Sequence, residues 1–77
     1  MVETHRQYLR DLGHLIREAA VESAQAASGD AFAQGRRLAY YEVATIMLSQ
    51  AASFGLPVED IAMAGLDPDR DLLGDTV

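Results

Sequence analysis

Residues 31–54 read AFAQGRRLAYYEVATIMLSQAASF, and their pattern decides how the chain must fold. The apolar members, Phe32, Ala39, Tyr40, Val43, Ala44, Ile46, Met47, Leu48, Ala51 and Phe54, recur at helical rather than strand spacing. Projected around a helix they span an arc of roughly 200°. Gln34, Glu42, Thr45, Ser49 and Ser53 fill the polar strip that remains. One neighbouring helix cannot bury so wide an arc, so the segment asks for a second cover, either a later part of the chain or a second copy of it. The expectation is a homodimer in which two hairpins close into a four-helix bundle, with the tail helping to cover them.

Upstream, about residues 4–28, Tyr8, Leu9, Leu12, Leu15, Ile16, Ala19, Ala20, Ala26 and Ala27 fall on one side of a first helix, over an arc of about 140°. Arg10, His14, Arg17, Glu18 and Gln25 make its wet side. Gly29 suits a helix end and Asp30 the N-cap of the second helix, a joint so short that the two helices must run antiparallel. Small residues crowd both sides of that joint, while Tyr8, Leu12, Leu15, Ile46, Met47 and Phe54 gather at the open end. Gly13 and Gly35 stand in helix interiors, where each costs about 1 kcal/mol relative to alanine. Beyond Gly55, Pro57 predicts a third helix over about 57–64, and Asp67-Pro68 one further turn over about 68–73. The fold class is all-α, a single domain over 1–77: a helical hairpin, a short third helix and a capping tail.

The turn between the second and third helices carries Ala51, Gly55 and Ile61 at the spacing of a helix-turn-helix corner. A corner that reads DNA presents arginine, lysine, asparagine, glutamine, serine or threonine to bases and phosphates just after the turn. Here those places hold Pro57, Val58, Glu59, Asp60, Ala62 and Met63, and two carboxylates with no adjoining cation oppose a phosphate backbone. The corner is therefore read as a packing device, and direct nucleic-acid binding is not expected.

Formal charge is −6, all six basic residues are arginine, and the imbalance is local. Residues 1–55 carry a net −1, whereas 56–77 carry −5, with Glu59, Asp60, Asp67, Asp69, Asp71 and Asp75 set against Arg70. The arginine bias is read as a property of a bacterial-like genome. Asp67, Asp69 and Asp71 imitate the opening of a calcium loop, but its sixth position, where glycine is required, is Leu72. His5 and His14 point nearly opposite ways from one helix and cannot share a metal, and His14 belongs with Glu18 and Asp11 in a surface cluster. Tyr40, Tyr41, Arg36 and Arg37 read as rings at an interface edge, with the arginines paired to Glu18 or Glu22. There is no cysteine, no nucleophile elbow and no phosphate-cradling glycine loop, so neither catalysis nor a cofactor or metal is expected. No apolar run approaches the ~20 residues of a membrane span, and a cytoplasmic, soluble protein is expected.

These features support two functions as expectations. One is a small helical protein-protein interaction module with a regulatory or accessory role, acting as a homodimer and docking an unknown protein partner through Phe32, Tyr40, Val43, Ala44, Met47, Ala51 and Phe54. The other is an acidic inhibitor, a nucleic-acid mimic whose Glu59, Asp60, Asp67, Asp69 and Asp71 block a basic surface on a target.

Overall fold

In the computed structural model, residues 3–26 and 29–74 are described. Helix α1 spans Glu3–Ala26 and helix α2 spans Ala31–Ser53. A 3-10 turn comes next at Val58–Ile61, then the short helix α3 at Pro68–Leu72. There is no strand among the described residues. The two long helices pack together as a hairpin, and residues 54–74 cross one side of it as a second layer. Residues 27 and 28, expected to end the first helix, lie outside the described residues, as do Asp75 and the rest of the tail end.

Local chemistry explains where the elements begin. Asp30 caps α2 by accepting a hydrogen bond from the Ala33 backbone N–H at 3.2 Å. A helix as short as α3 has no stability alone. It is held by Pro68 in its first turn, by Asp67 accepting from the N–H groups of Asp69 and Arg70, and by Asp71 accepting from the N–H of Asp67 at 2.9 Å. Leu72, fully buried, then fastens it to the hairpin.

The third helix expected over 57–64 is replaced by a single 3-10 turn. Ala62 takes a left-handed conformation, φ 57°, which stops the helix and sends Met63 back into the core. At the helix-turn-helix corner Ala51 and Ile61 lie in the core, Gly55 supplies the positive φ that ends α2, and the element that follows is the 3-10 turn.

The core is built from unequal contributions. The hairpin supplies Ala20, Ala44 and Ala51, and the crossing layer supplies the bulk, Ile61, Met63, Leu66 and Leu72. Gly13 belongs to the same contact: a Cβ there would overlap the Ile61 carbonyl oxygen, so only glycine admits the layer at this depth. Helix α1 continues through Gly13, and α2 through Gly35, without a break.

Candidate interaction face

Around each long helix the residues sort into three sectors. Gly13 and Arg17 on α1, and Tyr41 on α2, meet the crossing layer. Next round each helix come the residues of the α1–α2 seam, among them Ile16, Tyr40 and Met47, which pack half-buried against the core. Beyond the seam lie Tyr8, Leu12, Leu15 and Ala19 on α1, and Phe32, Ala39, Val43, Ile46 and Phe54 on α2, within arcs of roughly 60° and 80°. The sectors succeed one another in the same rotational order on both helices, and in an antiparallel pair this places both outer arcs on the same side. The hairpin thus has one face covered by residues 54–74 and an opposite face left open.

That open face is apolar. Tyr8, Leu15, Phe32, Ile46 and Phe54 each keep 60% or more of their surface exposed, and Leu12 and Val43 are also exposed. At the open end of the hairpin is an apolar notch of about 160 Å³, lined by Leu9, Met47, Gln50, Ala51, Leu56 and Ile61 together with Phe54 of the open face. Glu22 and Arg36 form a loose ion pair at 3.8 Å near the joint, and the Arg36 guanidinium stands 5.3 Å from the centre of the Tyr40 ring. The pairing of an arginine with Glu22 matches the expectation from sequence.

Of the residues expected at a partner interface, Phe32, Val43 and Phe54 lie on the open face and Tyr40 and Met47 at its inner border. Ala44 and Ala51 need correcting. Both are buried in the chain's own core, where a missing side chain beyond Cβ makes room for the crossing layer; Ala44 is fully covered, and Ala51 reaches only the wall of the notch. Tyr8, Leu12, Leu15 and Ile46 join the face without having been expected there, because the pattern of large α1 side chains reads most simply as a contact with α2. A contrary signal is present in the sequence: the small residues Gly13, Ala20 and Ser23 mark a different side of α1 for close approach, and all three are buried.

Arg17, expected on the wet side of α1, is instead half-buried. Its guanidinium donates to the carbonyl oxygens of Ala62 at 3.1 Å and Ala64 at 2.7 Å, collecting the backbone acceptors on either side of Met63. His14 pairs with Glu18 at 3.0 Å on the surface, as expected, and His5 is exposed.

The acidic segment is largely occupied with its own structure. Asp67 caps α3. Asp71 accepts from the Arg70 side chain and the Asp67 N–H, and these bonds, the first above all, hold its carboxyl at about 2, well below the ordinary value. Asp69 accepts from the Tyr41 hydroxyl at 2.7 Å, and the bond to this carboxylate raises the Tyr41 pKa above its usual value. Glu59 and Asp60 stand in the 3-10 turn, Glu59 exposed and Asp60 partly covered. No group of three or more histidine, aspartate or glutamate side chains is placed to hold a metal ion among the described residues. Among the same residues no helix is long and apolar enough to cross a membrane.

Comparison with protein-family models, with curated proteins and with solved structures finds no match to this chain.

Proposed function

We propose that this protein is a helical protein-protein interaction module that works as a homodimer, joined through the open face of its hairpin. One observation carries the reading: the large apolar side chains Tyr8, Leu15, Phe32, Ile46 and Phe54 share one face and are exposed there together. Single exposed apolar residues are ordinary on soluble proteins, whereas a contiguous patch marks a contact surface. The size of the molecule supports it. A monomer of 8.3 kDa is expected to expose about 4,600 Å². This chain exposes 5163 Å², and its radius of gyration of 13.2 Å exceeds the roughly 11.5 Å of a compact domain of this length.

Size-exclusion chromatography with light scattering tests the reading, with a mass twice the 8.3 kDa of the chain expected at micromolar concentration. A monomer persisting at hundreds of micromolar would overturn it. The acidic-inhibitor alternative has less support, because Asp67, Asp69 and Asp71 are engaged within the chain and carry the α3 cap and the bond to Tyr41. Glu59 and Asp60 are the carboxylates that test it without dismantling α3.

A further inference from the structure

The open face is self-complementary when turned end for end, and we infer that a second copy seats its Phe32 ring in the notch at the open end of the hairpin, with the two α2 helices antiparallel and Val43 close to the two-fold axis. This rests on the homodimer reading above and specifies its geometry.

Phe32, 78% exposed, is the most exposed of the large apolar side chains among the described residues and stands at the joint end of α2. Gln50 and Phe54, at the other end of the same stripe, are among the residues that line the notch. Phe32 and Gln50 are separated by five full turns, so they point the same way from points about 27 Å apart. A two-fold axis midway between Phe32 and the notch passes near residues 41–43, and rotation about it lays each Phe32 over the partner's notch. The sizes agree. The notch holds about 160 Å³, and an apolar cavity of about 150 Å³ accommodates a benzene ring.

The same register matches the rest of the stripe. Val43 faces its own copy, and the small Ala39 faces the larger Ile46. The bulky open end of each hairpin then lies over the small-residue joint end of the other, so the two layers stay parallel. Turning the second copy the other way would stack both bulky ends together and leave both Phe32 rings above the joint, where the opposing α1 residues are small. The result expected is an isologous interface with two equivalent Phe32 anchors, one at each end.

The chain has no cysteine, so single-cysteine variants report contacts cleanly. Val43→Cys is expected to form a disulfide-linked dimer on mild oxidation, and an equimolar mixture of Phe32→Cys and Phe54→Cys to form the mixed dimer. Phe32→Ala, at a position too exposed to disturb the fold, is expected to weaken dimerisation about 30-fold by sedimentation. If light scattering gives a dimer but Val43→Cys crosslinks only when mixed with Leu15→Cys, the opposite orientation is correct and this inference fails while the homodimer stands. A monomer by light scattering removes both.

Discussion

On the covered face of the hairpin, Gly13, Ala20, Ala44 and Ala51 let the crossing layer approach the helix backbones, and Ile61, Met63, Leu66 and Leu72 fill the space between. On the open face the hairpin offers Tyr8, Leu15, Phe32, Ile46 and Phe54, and among the described residues nothing lies over them. The usual association of large apolar residues with the core is therefore inverted along both long helices. Holes are cut where the chain supplies its own knobs, and knobs are left where it does not. In a chain this short the core that one layer can build is limited, and the second apolar surface is the part that an assembly would use.

The largest effect is expected on the covered face. Gly13→Ala places a Cβ against the Ile61 carbonyl, a backbone atom that cannot rotate away. The layer must lift, and Arg17 then loses its bonds to Ala62 and Ala64. A loss of about 3 kcal/mol is expected, much of the total stability of a domain of this size. In thermal unfolding this corresponds to a drop of roughly 15 °C. A variant as stable as the wild type would show that the layer does not sit at this depth.

An equally large change in side chain on the other face is expected to leave folding alone. Ile46→Glu puts a charge on a residue already exposed in the single chain, so its helical circular dichroism should match the wild type. Assembly should suffer, because the carboxylate would have to be buried against the second copy. Weakening of about 100-fold, corresponding to ~2.7 kcal/mol, is expected by sedimentation. Unchanged mass would remove the open face as the contact surface.

Acid and base separate the faces in a different manner. The Asp71 carboxyl is depressed to about 2 by Arg70 and the Asp67 N–H, so its contribution to folding is complete above the unfolded value of about 4 and is lost as pH falls towards 2. The Tyr41 pKa is raised by its bond to Asp69, so that contribution is present below about pH 10 and is lost as pH rises through the folded value. Both groups hold the crossing layer, and neither lies on the open face. Thermal unfolding tracked across pH should weaken at both ends of the range. Asp71→Asn should lack the acid limb and Tyr41→Phe the alkaline one.

Much of this architecture is legible in the residues. Asp30 marks the start of α2, Asp67-Pro68 the start of α3, and the excess apolar arc of α2 correctly requires more than one cover. The orientation of the arc is not legible. Ala44 and Val43 are neighbours in sequence and about 100° apart on the helix, and no periodicity says which of two apolar directions faces the chain's own layer. The bonds from Arg17 to carbonyls 45 and 47 residues away leave no local trace either. Nor does the turn at Ala62, where an alanine takes a conformation that glycine would have announced.

The two interior glycines differ between the faces. Helix propensity treats them alike, yet Gly13 is fixed by the layer above it, whereas a Cβ added at Gly35 would meet nothing within 4 Å. Gly35 is exposed on a continuous stretch of α2, so nothing in the single chain requires glycine there. Gly35→Ala should therefore recover its helix-propensity cost, stabilising the fold by about 0.5–1 kcal/mol and raising the melting temperature by roughly 4 °C. The end-for-end dimer adds a condition, because Gly35 then lies near Gln50 and Ala51 of the second copy. A variant whose melting point rises while its dimer weakens would place Gly35 at the contact between copies. A rise with assembly unchanged would place it outside, and a fall would mean that Gly35, like Gly13, is closely approached.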